Sequence, residues 1–253
     1  MPFDFLADPS PSCQETPQVV TGHARNLITI NIADDAERER ARQAMAEPYR
    51  TLLGHFRHEV GHYYWERLAR DGHWLEWFRT MFGDERRDYF ACLAAHHAEG
   101  PPPDWQERFV SSYASAHPRE DFAETRAHYL HVVDTSETAA AFGLRVHPGT
   151  GRDPALATDI DFDPYRKDDF DALLAAWLPP TYAVNSLNRS MGQPDLYPFV
   201  LTPAVMGKLR FVHGLIHKTG IKAGSTAPAR AALPGWTSAG PQATAPAAAR
   251  QVK

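Results

Sequence analysis

Cysteine is scarce, long apolar runs are absent, and no acidic residue follows Asp195, and each shortage removes a class of protein. Two cysteines, Cys13 and Cys92, cannot build a disulfide framework or supply a four-cysteine zinc ribbon. Any metal must therefore be held by nitrogen and oxygen ligands. No apolar run is long enough to cross a bilayer, and the first eight residues show neither a basic leader nor an apolar signal core. A cytoplasmic protein without a membrane partner is expected. Beyond Asp195 every charged side chain is basic (Lys208, Arg210, Lys218, Lys222, Arg230, Arg250 and Lys253), but the net charge of -5 argues against nucleic acid as a partner. No internal repeat is visible.

What is present suits one domain with an arm and a tail. The chain has 253 residues, 43% hydrophobic and 11% aromatic, enough to bury a proper core. Residues 1–22, rich in Pro, Ser and Asp without a period, read as an extended, loop-like arm; residues 23–220 read as the folded domain. Residues 221–253, an Ala/Pro-rich basic stretch, read as a disordered tail. Residues 26–32 alternate an isoleucine face with a mainly polar one, the pattern of a strand, and as an edge this strand would accept an extended peptide.

The remaining segments read as helices with loops between them. Asp34 and Asp35 cap a charged helix over 36–46, and Pro48 opens a helix over 48–70. Residues 74–97 are helical with a break near Gly83, and their aromatics (Trp74, Trp77, Phe78, Phe82, Tyr89 and Phe90) read as core. Asp104 caps a short helix, and Pro118 opens a helix over 119–135. Residues 147–163 read as a loop, 167–176 as a short helix and 185–197 as a polar loop, and Thr202 and Pro203 start an amphipathic helix over 204–217. The fold class expected is α+β, predominantly helical, with a small β-sheet.

The helix over 48–70 carries the chemistry. His58-Glu59-Val60-Gly61-His62 is an H-E-x-x-H sequence, and residues four apart stack on one helix face. His58 and His62 can thus aim ring nitrogens at one metal ion, with Glu59 beside them as general base. Gly61 in mid-helix costs about 1 kcal/mol relative to alanine. Something must pack closely there, either a neighbouring helix or the backbone of a metal site.

A hydrolytic zinc site needs a third protein ligand and an open position. The metzincin scheme wants Gly and His soon after the second histidine, where this chain has Trp65 and Leu68, and the inverted H-x-x-E-H order does not occur. A glutamate on a later helix remains. On the helix over 119–135, Glu120, Glu124, His128 and His131 share one face. With Glu120 as ligand, Glu124 can accept a hydrogen bond from the distal nitrogen of His58 or His62. Face and spacing do not separate Glu120 from Glu124 or His128, which lie one and two turns on; as ligand neighbours, Glu124 and His128 would support the site from outside.

Five stretches carry a resemblance: residues 21–23 (TGH), 28–31 (ITIN), 49–65 (YRTLLGHFRHEVGHYYW), 113–124 (YASAHPREDFAE) and 185–192 (NSLNRSMG). Together they resemble the bacterial putative zinc-binding metallopeptidases, over roughly residues 3–220. Many members carry an N-terminal zinc ribbon, from which this chain departs. Residues 113–124 also look like the gluzincin block of the anthrax lethal factor peptidases, where a tyrosine precedes a Glu-x-x-x-Glu pair whose first glutamate binds zinc. The resemblance implies a zincin-like core, Zn2+ held by His58, His62 and Glu120, Tyr113 as donor to the oxyanion, and a peptide or protein as substrate. The rival reading is a non-catalytic, zinc-stabilised binding or regulatory protein. Glu59 discriminates, because a purely structural site has no need of a carboxylate beside the open position.

Overall fold

The computed structural model describes residues 2–6, 22–24, 27–32, 49, 51–70, 74–149 and 153–217. The expected helix over 36–46, the tail over 221–253 and most of the arm lie outside them. Strand β3 (Leu27–Asn31) follows its alternation, with Ile28 and Ile30 both 0% exposed. It is not an edge. Strand β1 (Phe3–Leu6) pairs with it in parallel, Phe3 opposite Ile28, and β2 (Gly22–Ala24) pairs antiparallel on the other side, Gly22 opposite Thr29. The start of the supposed loop-like arm is therefore a strand, and both sides of β3 are taken.

The apolar face of β3 packs on helix α1 (Leu52–Tyr64), where Ile28 and Ile30 cluster with Val60, flanked by Phe3, Phe56, Tyr63 and Tyr64. Val60 lies between His58 and His62 in sequence and so points to the other side of the helix from both. The sheet supports α1 from behind. The helix begins later than Pro48: Thr51 is its N-cap, with Oγ1 accepting from the Gly54 N–H at 3.0 Å. A Cβ on Gly54 would come within 1.9 Å of the Tyr49 carbonyl oxygen, so the chain before the cap folds back over the first turn. At its far end α1 passes into a π-helical segment, Trp65–Arg70.

Helix α2 (Leu75–Phe82) ends at Gly83, whose φ of 100° suits glycine, and α3 (Tyr89–Glu99) follows after the break. The short α4 (Trp105–Arg108) has Asp104 at its start, but the Asp104 carboxylate takes the Arg108 guanidinium rather than a backbone N–H. The long α5 (Pro118–Ala141) outruns the expected 119–135, because Ser136 and Ala139 are still buried. Helix α7 (Pro203–His217) starts where Thr202 Oγ1 accepts from the Val205 N–H.

Phe78 and Phe82 of α2, Phe122 of α5 and Phe211 of α7 form the aromatic core, with ring centroids 5.0 to 5.6 Å apart from Phe78 to Phe82, Phe82 to Phe122 and Phe82 to Phe211. Phe90, expected there, is 80% exposed. Lys208 of α7 reaches the buried Asp121 of α5 at 2.6 Å and the Arg108 carbonyl oxygen at 2.7 Å.

Two expected loops contain regular structure. Strand β5 (Thr158–Asp159) lies within the stretch read as a loop and pairs with β4 (Arg145–Val146) just before it. Helix α6 (Phe170–Ser190) runs through Pro179 and Pro180 and takes in half of the supposed polar loop. Its polar residues are there to hold the returning chain: Asn185 pairs with both backbone groups of Tyr197, and the Asn188 amide donates to the Pro194 carbonyl. No described helix is long and apolar enough to cross a membrane.

Helix α1 crosses α5 at Gly61. A Cβ there would lie 2.8 Å from Ala123 Cα and 3.2 Å from Ala123 Cβ, so the close neighbour is the opposing helix. Gly61→Ala removes a helix penalty of about 1 kcal/mol, yet overpacking of about 1–3 kcal/mol against backbone opposes that gain. Urea titration of this variant should show a lower unfolding midpoint than the parent. An equal or higher midpoint would mean that the crossing has slack.

Candidate metal centre

The crossing brings three ligand-type side chains into one group. His58 and His62 are one turn apart on α1, and Glu120 stands in the first turn of α5, where the helix dipole favours a carboxylate. His58 Nε2 lies 3.0 Å from His62 Nε2 and 3.1 Å from Glu120 Oε2, and His62 Nε2 lies 3.3 Å from Glu120 Oε1. One ligand atom from each of the three falls within 4.8 Å of the others. Glu120 is 0% exposed and His58 8%.

A second layer holds this group. Glu124 Oε1 accepts from His58 Nδ1 at 2.7 Å, which turns Nε2 toward Glu120, and Glu124 Oε2 accepts from Ser111 Oγ at 2.7 Å. Ser111 Oγ also accepts the Ala114 N–H, tying in the 3-10 turn Tyr113–Ser115. Glu120 Oε1 accepts from the Tyr89 hydroxyl at 2.6 Å. Glu120 Oε2 is buried and has no hydrogen-bond partner, despite its nearness to His58. A buried carboxylate oxygen left unpaired is costly unless a cation meets it. Two imidazole nitrogens and one carboxylate oxygen are a three-ligand zinc set, so the residues present fit that ion.

Charge follows the same pattern. Burial by itself would lower the His58 pKa, but the neighbouring carboxylates of Glu120 and Glu124 outweigh it and raise the pKa well above 6.5. Burial by itself would raise Glu120, but His62 and His58 hold it well below the ordinary carboxylate value. Glu124 behaves likewise: burial raises it, His58 outweighs burial, and the result is about 2. In Glu59 burial prevails over the lowering effect of His58 and His62, and its proton affinity rises. Glu59 is 7% exposed and, among the described residues, makes no side-chain hydrogen bond.

Tyr113 is half-buried beside the site, its ring centroid 6.0 Å from that of His58 and 6.0 Å from that of His96. Burial, with Glu120 next in weight, raises its pKa. His128 sits apart from the metal group, with Nδ1 3.1 Å from the Tyr197 hydroxyl and its ring packed on Phe199 and Tyr49. Burial lowers its pKa to about 4, against the charge of Glu124. His131 takes a hydrogen bond from Arg57, which also pairs with Asp134. His117 caps α5, accepting from the Arg119 N–H. Tyr89 and Ser111 escape a reading of the sequence, because nothing in their spacing connects them to Glu120 and Glu124.

A family model described as "Putative zinc-binding metallo-peptidase" matches residues 1–215. Proteins of Mycobacterium bovis and of two strains of Mycobacterium tuberculosis, each described as uncharacterized, are 48% identical over 201 residues, covering 78% of this chain and 56% of theirs. The chain thus spans a little over half the length of the curated relatives it matches. No solved structure matches it.

The two shifts bound the stability of the metal-free protein from both sides. His58 has a raised folded pKa, so its contribution is complete below 6.5 and is lost as pH rises through the folded value. Glu124 has a lowered one, so its contribution is complete above 4.5 and is lost as pH falls toward about 2. Chelator-treated protein should therefore show a urea midpoint that falls as pH rises above the ordinary histidine value of 6.5, and a smaller fall in Glu124→Gln. A parent midpoint that climbs over that range would contradict the raised His58.

Proposed function

The chain belongs to the "putative zinc-binding metallo-peptidase" family, and from that premise we propose that it hydrolyses peptide bonds at a gluzincin-type site. The observation that carries the reading is the convergence of His58, His62 and Glu120, with the Glu59 carboxylate buried beside them. Zinc held by those three side chains would acidify a water and polarise the scissile carbonyl.

The remaining work belongs to the chain itself. Glu59 takes a proton from the attacking water on its carboxylate and returns one to the leaving amine. Its raised proton affinity brings it nearer the range where a carboxylate serves both steps. The Tyr113 hydroxyl donates to the carbonyl oxygen as charge builds there. Glu124, braced by Ser111, fixes the ring of His58. His128, held among Tyr197, Phe199 and Tyr49, keeps α5 seated and takes no proton step. The substrate is a peptide or protein.

Metal analysis and a peptide-library digest test this on four variants. Glu59→Gln should keep its zinc and cleave at least about 100-fold more slowly, and Tyr113→Phe should keep zinc and lose roughly 100-fold in rate. Glu120→Ala should lose stoichiometric zinc, and Glu124→Ala should bind it about 10–100-fold more weakly. A zinc-loaded Glu59→Gln that cleaves as well as the parent would remove Glu59 as the base, and a zinc-loaded parent that cleaves nothing would leave a structural metal site. Full zinc in Glu120→Ala with none in Glu124→Ala would move the ligand by one turn.

A further inference from the structure

Tyr89 has no part in the chemistry above, yet its hydroxyl reaches the metal group. It is the first residue of α3, directly after Asp88, whose carboxylate caps that helix by accepting from the Ala91 N–H at 3.0 Å. The Tyr89 ring packs edge-on against His117, the N-cap of α5, at 5.1 Å. His117 Nδ1 accepts from Arg119, which leaves Nε2 to donate to the Arg87 carbonyl oxygen at 3.3 Å. The starts of α3 and α5 are thereby joined through ring and backbone, and the Tyr89–Glu120 hydrogen bond is a third link between them.

That bond makes the two oxygens of Glu120 unequal. Oε1 accepts a hydrogen bond from the Tyr89 hydroxyl at 2.6 Å, a short charge-assisted bond. Oε2 is buried without a hydrogen bond, 3.1 Å from His58 Nε2. A carboxylate with one oxygen in a short hydrogen bond turns less freely, and its unbonded oxygen is the better placed to meet a cation. We propose that Tyr89 is a positioning residue of the metal site, which fixes the Glu120 carboxylate by holding Oε1, 3.3 Å from His62 Nε2, and leaves the unbonded Oε2 as the freer oxygen for the ion. The inference rests on His58, His62 and Glu120 being the zinc ligands, and it goes further in assigning the binding mode of the third ligand to a side chain on a separate helix. Among the described residues Tyr89 supplies the only hydroxyl bonded to Glu120.

The test uses the full chain as parent, Tyr89→Phe and Tyr113→Phe. Phenylalanine keeps the ring that packs on His117 and removes only the hydroxyl. Zinc affinity is measured by competition with a chromophoric chelator, the coordination of Co2+ is read from its visible bands, and the unfolding midpoint is taken without metal. Tyr89→Phe should bind zinc about 10–100-fold more weakly. Its cobalt bands should weaken as the freed carboxylate offers both oxygens and the coordination number rises, and the metal-free midpoint should fall only by what one lost hydrogen bond to a buried carboxylate costs. Tyr113→Phe should leave affinity and bands unchanged. If Tyr89→Phe matches the parent in zinc affinity and cobalt bands, Tyr89 only packs, and the inference fails while the metal site stands. If the parent itself binds no zinc, the ligand assignment fails and takes the inference with it.

Discussion

Everything in the site depends on how closely α1 and α5 approach at Gly61 and Ala123. Packed helices ordinarily lie 8–10 Å apart, the distance being set by the side chains at the contact. Here one of those side chains is a hydrogen atom, and any carbon in its place would meet the opposing backbone. The same offsets then recur on both helices. His62 follows Gly61 and His58 precedes it by three; Glu124 follows Ala123 and Glu120 precedes it by three. One close crossing therefore matches two imidazoles to two carboxylates, at 2.7 to 3.3 Å, without any loop having to place them.

The crossing is held from several sides. Behind α1 the sheet seats Ile28 and Ile30 on Val60, and behind α5 the aromatic core seats Phe122 on Phe78 and Phe82. Asp121 sits next to Glu120 but on another face of α5, where Lys208 of α7 meets it. Adjacent carboxylates thus serve different ends, one held by a lysine and one turned to the histidines. Arg57 adds a tie beside the site, to His131 and Asp134 of the same long helix.

Much of this is legible in residue spacing, and the exceptions have physical causes. Four-residue periodicity is a property of the helix itself, so His58 with His62 and Glu120 with Glu124 fall on shared faces by their spacing alone. Alternation does the same for Ile28 and Ile30 in β3. Choosing between Glu120 and Glu124 needs the rotation of one helix about the other, which leaves Glu124 bonded to His58 Nδ1 and Glu120 facing the ring nitrogens across the site. Tyr89 and Ser111 come from other elements, and only the return of the chain over α5 brings them in. The second half of helix α6 is hidden by Pro179 and Pro180 and by asparagines that look like loop residues but bind the backbone of the segment that follows. The partners of β3 are hidden because strand order is a long-range property.

The candidate ligands come from two places about sixty residues apart in the chain, and that separation bears on folding. An ion gripping His58 and Glu120 closes a loop, and such a closure acts on the unfolded ensemble as a staple does, with a gain that grows slowly with the length enclosed. Helices α2, α3 and α4 and the turn carrying Tyr113 all lie within that loop, as do Tyr89 and Ser111. The groups that trim the geometry of the site are thus among those whose freedom its closure removes. With an ion held there, assembly of the centre and consolidation of the middle of the chain would become one cooperative event, and an isolated fragment bearing only H-E-x-x-H would have neither.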